Sequence, residues 1–272
     1  MHYENWNPWH GCTKISEGCR YCYVYRQDAH RGAEIPTAEC RKTQGFHLPV
    51  KRKRDGSWKI PPGSMVFTCF SSDFLLKDAD PWRDECWQMM RQRQDCLFYF
   101  FTKRIDRFMD CIPHDWGDGY PNVMVGCTCE NQARADERMP VFLSLPIRMK
   151  SVILGPMLTP IDLRPYLCDD IMEVACSGES GLNVRPLHYE WVLDVRAQCV
   201  EKDIPFLFHQ TGAYFVRDGK TYHVPRRYQI AQAKKAGIDY RIGADFVPDT
   251  AMDFRPQTAG QISMDELQAS EG

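Results

Sequence analysis

From Met65 onward, short and nearly continuous apolar runs alternate with polar segments that can be helical. The runs cover residues 65–70, 97–102, 123–129, 151–154, 172–176 and 206–208. Runs without polar alternation suit strands buried on both faces, as in a parallel sheet. Between them, residues 82–93, 131–145 and 190–202 read as helices. Trp82, Glu85, Cys86 and Met89 follow a stripe of helical period. The spacing from strand to strand, roughly 25–35 residues, is that of a βα unit. The pattern predicts an α/β fold: a partial (β/α) barrel of about six parallel strands, with a further short strand before Cys12. A doubly wound open sheet is the competing arrangement, and in both a ligand belongs at the C-terminal ends of the strands.

The flanks of this repeat read differently. Residues 26–38 are polar and compatible with a helix. Residues 46–60 read as an inserted β-hairpin turning at Asp55-Gly56. One domain over residues 1–245 is expected, with an ordered loop at 6–25 and a polar, flexible tail at 246–272.

Each apolar run is followed by a polar cluster. Ser71-Ser72-Asp73 follows the first and Thr102-Lys103-Arg104 the second. Glu130-Asn131-Gln132, Ser177-Gly178-Glu179-Ser180-Gly181 and His209-Gln210-Thr211-Gly212 follow later ones. Together they predict a polar, functional barrel mouth.

Composition narrows the class. The chain has 272 residues with 34 Lys+Arg and 36 Asp+Glu, a net charge of −2, which excludes a globally basic nucleic-acid binder. No apolar run reaches membrane-spanning length, and the first residues lack a basic-then-apolar leader, so a cytoplasmic protein without membrane association is expected. Thirteen cysteines, an odd number, do not suit a small secreted disulfide scaffold. Cys69, Cys127, Cys129 and Cys176 fall inside apolar runs and read as core.

Cys12, Cys19 and Cys22 stand apart, with six and two residues between them. Gly11 and Gly18 each precede a cysteine and permit close approach of a bulky inorganic group. Three thiolates so close need a neutralising cation, and no fourth ligand follows at finger spacing. Three ligands with an open fourth position mark a reactive site, whereas structural sites are closed. The spacing favours an iron–sulfur cluster over zinc, which would have to recruit His10, His30 or Cys40.

Residues 6–23, WNPWHGCTKISEGCRYCY, resemble the signature of a phage and prophage protein family of unknown function that carries an N-terminal three-cysteine motif. The Cys19-Arg20-Tyr21-Cys22 end is also similar to the cluster motif of the radical S-adenosylmethionine superfamily. Similar blocks continue in order: Thr102-Lys103-Arg104, Glu130-Asn131-Gln132, Gly178-Glu179-Ser180-Gly181 with Arg185-Pro186, and residues 204–208 with Gln210 and Gly212. The sequence departs from the pattern in the six-residue gap after Cys12, at Ser177, His209 and Thr211, and in lacking a glutamate near Pro156.

The resemblance implies a [4Fe–4S] cluster on Cys12, Cys19 and Cys22, with S-adenosylmethionine on its open iron. One-electron reduction would then release a 5′-deoxyadenosyl radical that abstracts hydrogen from a substrate. Ser71, Ser72 and Asp73 are candidates for the methionine ammonium, and Glu130 and Asn131 for ribose hydroxyls. Glu179 lies in a turn open to close ligand approach. Lys103, Arg104 and Arg185 suit a carboxylate or phosphate. No catalytic residue is assigned. The resemblance also implies an electron-donor protein and a nucleotide or nucleic-acid substrate. The alternative is a zinc- or cluster-stabilised nucleic-acid-binding phage protein without radical chemistry, using the basic run Lys51-Arg52-Lys53-Arg54. A metal-dependent hydrolase would need clustered His and carboxylate ligands, and the eight histidines are scattered.

Overall fold

The computed structural model describes residues 2–241. In chain order the first half contains β1 (His2–Trp6), β2 (Trp9–His10), α1 (Tyr23–Arg31), β3 (Arg41–Lys42), β4 (Ser64–Thr68), α2 (Asp80–Gln92), β5 (Leu97–Thr102) and α3 (Phe108–Cys111). The second half contains β6 (Val123–Thr128), α4 (Gln132–Ser144), β7 (Met149–Leu154), β8 (Ile171–Ser177), β9 (Leu187–His188), α5 (Tyr189–Glu201), β10 (Phe206–Gln210), β11 (Tyr214–Arg217), β12 (Lys220–His223) and α6 (Gln229–Lys235).

The seven long strands form one parallel sheet, ordered β1-β4-β5-β6-β7-β8-β10, curled into a half-barrel. All six predicted strands are present within a few residues of the expected bounds, and β1 is the additional strand before Cys12. The apolar runs are continuous because both faces of the sheet are covered. On one face Phe98, Phe100, Val125, Val152, Val174 and Phe206 pack against helices. Trp87 and Met90 come from α2, Met139 and Phe142 from α4, and Val192 and Val195 from α5. On the other, concave face Met65, Leu97, Tyr99, Met124 and Ile153 form a separate cluster, with Phe67 and Phe101 at its border. Cys69, Cys127, Cys129 and Cys176 are all buried, in keeping with a core role.

Three local expectations need correction. The helix expected at 26–38 starts earlier and stops sooner, because Gly32 adopts a left-handed φ of 63° and caps the last turn. On α2 the buried face carries Trp87, whereas Glu85 is half-buried at its edge and binds Lys42 and His47. The hairpin at 46–60 is shorter than expected: Asp55-Gly56 reverses the chain, with one Arg52–Trp58 bridge flanked by bonds from the Lys53 N–H to the Ser57 carbonyl at 2.7 Å and from the Lys59 N–H to the Lys51 carbonyl at 2.8 Å. Pro49 in a 3₁₀ turn on one side and Pro61-Pro62 on the other limit a longer ladder. Conversely, β11 and β12 form a true antiparallel hairpin around Asp218-Gly219, and β9 pairs with β11. The tail at 246–272 lies outside the described residues. Among the described residues no helix is long and apolar enough to cross a membrane.

Candidate functional site

The cysteine loop leaves β1 at the C-terminal end of the sheet and is fastened to the segment leaving β4. Gly11 has a φ of +100°, and its N–H donates to the Ser71 carbonyl at 3.2 Å. A side chain there would collide with the Glu39 carbonyl. The Ser71 hydroxyl donates to the Trp9 carbonyl at 2.9 Å, and the Ser72 hydroxyl donates to that of Gly11. The Cys12 N–H donates to Thr37 at 2.8 Å. Cys19 ends a 3₁₀ turn, Glu17–Cys19, and Cys22 immediately precedes α1. About one helical turn past Cys22, the Tyr25 hydroxyl donates to the Cys12 carbonyl, and all three thiols lie within its electrostatic reach.

Cys12 is the best-defined of the three. Its Sγ accepts from Arg104 Nη1 at 3.6 Å. Burial, reinforced by the Asp73 carboxylate, pushes its thiol up to about 12 despite Arg104. Alone, this sulfur therefore holds its proton, and a bound cation is what would make it a thiolate.

Asp73 organises the ends of two strands. Its Oδ1 accepts from the Leu75 N–H at 2.9 Å and the Thr102 hydroxyl at 2.8 Å. Its Oδ2 accepts from the Lys103 N–H at 3.1 Å and Arg104 Nη1 at 3.1 Å. Arg104 Nη2 continues to the carbonyl and hydroxyl oxygens of Thr13, at 2.6 and 2.9 Å. The Asp73 carboxylate is thus fully engaged in bringing Arg104 to Cys12.

Glu130 lies beneath the same loop and is fully buried. Its Oε2 accepts from Arg138 Nη1 at 2.7 Å, while Oε1 is buried with no hydrogen-bond partner. Burial raises this carboxyl, but the Lys103 ammonium, the nearby Ser16 hydroxyl and the Arg138 guanidinium outweigh it and hold it below its ordinary value. Lys103 Nζ makes one long bond, 3.4 Å, to the Gly155 carbonyl. Asn131 accepts from the Arg134 N–H at 3.0 Å as the cap of α4, so its side-chain oxygen is spent on the helix.

Glu179 closes the far side. It accepts from Arg185 Nε at 2.9 Å, its N–H at 3.0 Å, and Nη2. Arg185 Nη2 also donates to the Glu17 carbonyl at 2.9 Å, and its guanidinium lies 5.4 Å from the Tyr21 ring centre. Arg134 grips the Glu17 carboxylate with two bonds of 3.1 Å. Arg26 Nη1 is buried without a hydrogen-bond partner, against Gly181.

The fold thus brings the polar residues that follow the strands to the mouth, in different roles. Ser71, Ser72, Asp73 and Asn131 hold backbone or neighbouring side chains. Glu130 keeps an unbonded oxygen beneath the cysteine loop, Lys103 lies within electrostatic reach of Glu130, and Glu179 acts through Arg185. Tyr25, Arg26 and Arg138 were not singled out by sequence. Arg138 lies eight residues beyond Glu130, two helical turns along α4, and that spacing was the available signal. The run Lys51–Arg54 lies elsewhere: Trp58, which Arg52 stacks on, is 4.7 Å from Arg93, at the N-terminal end of β5.

The family model described as "Protein of unknown function (DUF5131)" matches residues 2–260. The chain belongs to this family. No curated protein and no solved structure matches the chain. The matched DUF5131 region contains the whole half-barrel and all three cysteines.

Proposed function

We propose that this DUF5131 chain is a radical S-adenosylmethionine-like enzyme, with Cys12, Cys19 and Cys22 as ligands of a [4Fe–4S] cluster. The observation that carries the reading is the position of the three-cysteine loop. It lies at the C-terminal end of the parallel sheet, against Ser71 after β4, Arg104 after β5 and Glu130 after β6, where α/β folds bind ligands.

The donor set suits a cluster with an open position. Among the described residues, no three His, Cys, Asp or Glu side chains stand close enough to share one metal ion. The assignment therefore rests on the position of the loop and not on a preformed ligand set. Two of the three candidates for a fourth protein ligand are otherwise placed. His10 Nε2 bonds Asp28 at 2.8 Å, and Asp28 also accepts from Thr37. His30 is exposed near the end of α1. Cys40, the third candidate, is half-buried beside Ser72, whose hydroxyl bonds the Gly11 carbonyl, so a closed zinc site would have to use Cys40 and not a histidine.

The two orphaned buried groups, Glu130 Oε1 and Arg26 Nη1, support a polar ligand in the mouth, because buried groups of this kind are seldom left unpaired. Glu130 Oε1 is placed to accept from a hydroxyl, and Lys103 to donate to a carboxylate. Arg104 balances charge at Cys12, and Asp73 fixes Arg104. Cluster and cosubstrate together supply reductive carbon–sulfur cleavage and hydrogen abstraction. The chain's part is to orient both and to exclude water. The reductant would be a separate donor protein.

Anaerobic reconstitution with iron and sulfide tests the metal assignment. About four irons and four sulfides per chain are expected, lost in Cys12→Ala, Cys19→Ala and Cys22→Ala. One tightly held zinc and no sulfide would overturn the cluster assignment and with it the radical mechanism.

A further inference from the structure

The segment from Tyr214 to Gly237 has a charge unlike the rest of the chain. It holds Arg217, Lys220, Arg226, Arg227, Lys234 and Lys235 against Asp218 alone, an excess of five positive charges in a protein of net charge −2. The fold gathers these residues into one lobe, formed by the β11–β12 hairpin, a 3₁₀ turn at Arg226–Tyr228 and α6. The lobe borders a cavity of about 650 Å³ whose lining includes Tyr189, Phe215, Tyr222, Tyr228, Arg217 and Lys235.

Three features point to the occupant. First, the cations are largely free: among the described residues only Arg217 has an acidic partner, Asp218 at 3.5 Å. Second, aromatic rings alternate with them. Tyr222 and Tyr228 are about half exposed, at 49% and 45%, and Arg227 lies 4.7 Å from the Tyr228 ring centre. Third, the lobe is joined to the barrel mouth. Arg226 Nη1 donates to Gln210 Oε1 at 2.5 Å and to the Ser180 hydroxyl at 3.1 Å.

Unpaired cations bind phosphates, and exposed tyrosines stack on bases whatever the sequence. An acidic peptide would satisfy the cations and leave the rings without partners. We propose that the lobe of residues 214–237 is a docking surface for single-stranded nucleic acid, with bases stacked on Tyr222 and Tyr228 and phosphates on Lys220, Arg227 and Lys235. The surface stands on its own geometry and does not depend on the cluster. By contrast, Arg52 in the other basic run is folded back on Trp58 and donates to the Gly56 carbonyl at 2.6 Å.

The test is fluorescence anisotropy of fluorescein-labelled oligothymidine with the full-length chain at low and at physiological salt. The wild type is expected to bind, and more weakly as salt rises. Lys220→Glu/Arg227→Glu/Lys235→Glu is expected to weaken binding by about tenfold or more. Tyr222→Ala and Tyr228→Ala are each expected to cost about fivefold or more with the salt slope retained. Lys51→Glu/Lys53→Glu, at the other end of the barrel, is expected to stay within about twofold of wild type. Thermal melts confirm that each variant is folded. Three results would overturn the assignment: no oligonucleotide binding at low salt, an equal loss in the Lys51/Lys53 variant, or competition by polyglutamate as effective as by unlabelled oligonucleotide. The last would mark an acidic-protein surface. None of these measurements requires a loaded cluster, so their failure leaves the metal assignment to its own test.

Discussion

The hydroxyls of Tyr99 on β5 and Ser151 on β7 are 2.6 Å apart, although β6 lies between their strands. Gly126, on β6, makes this possible. A Cβ at Gly126 would stand 2.7 Å from Phe101, 2.9 Å from Ile153 and 3.1 Å from Ser151 Oγ. A missing side chain on the middle strand lets two neighbours meet on the concave face.

Gly126→Ala is therefore expected to destabilise the fold by about 1–3 kcal/mol through overpacking. Tyr99→Phe, which removes only the shared hydrogen bond, is expected to cost about 1 kcal/mol. Urea unfolding midpoints check both. A neutral Gly126→Ala would mean that Phe101 and Ile153 yield freely.

Ser151 stands in register with Glu173 on β8. Burial, and then the charge of Asp239, raises the Glu173 carboxyl from 4.5 to about 7. The folded state thus favours the protonated acid. That contribution is fully present below pH 4.5 and is lost as pH rises through about 7. Stability measured from pH 5 to 8 is expected to fall by about 3 kcal/mol from this group. Glu173→Gln is expected to flatten the slope, and an unchanged slope would assign it to another group.

Asp73 and Arg104 form the pair that reaches the cysteine loop, and both are buried. Asp73→Ala leaves the Arg104 charge uncompensated and is expected to cost about 3–5 kcal/mol. Asp73→Ala/Arg104→Leu is expected to recover part of that loss, as a double-mutant cycle on melting temperature would show.

Gly18 lies against Glu130: a Cβ there would be 3.1 Å from the carboxylate. Because Glu130 is buried and tied to Arg138, it cannot give way easily. Gly18→Ala is expected to shift the cysteine loop and lower iron per chain after reconstitution, with the melting temperature little changed. Full iron loading would show that the loop has slack.

Much of this was legible in the chain. The strands were readable because burial on both faces leaves continuous apolar runs, as in Leu97–Thr102. The mouth was readable because polar clusters follow those runs. Individual roles were less visible, since residue type does not report which bonds are already made. Asp73 and Asn131 look alike as polar residues beyond a strand, yet both are occupied, whereas Glu130 keeps a free oxygen. Two Asp-Gly turns also had different outcomes. Asp218-Gly219 joins strands that pair over four residues, and Asp55-Gly56 sits between flanks limited by proline. The basic, aromatic lobe forms no run in the sequence, because its cations are spread over 19 residues, from Arg217 to Lys235, and only the fold gathers them.

The most direct test of the central claim is the formation of 5′-deoxyadenosine. The reconstituted chain would be incubated anaerobically with S-adenosylmethionine and dithionite, and the products separated by chromatography. The account predicts 5′-deoxyadenosine with the wild type and none with the Cys12→Ala/Cys19→Ala/Cys22→Ala variant. A wild-type chain that holds its cluster yet leaves S-adenosylmethionine intact would contradict it.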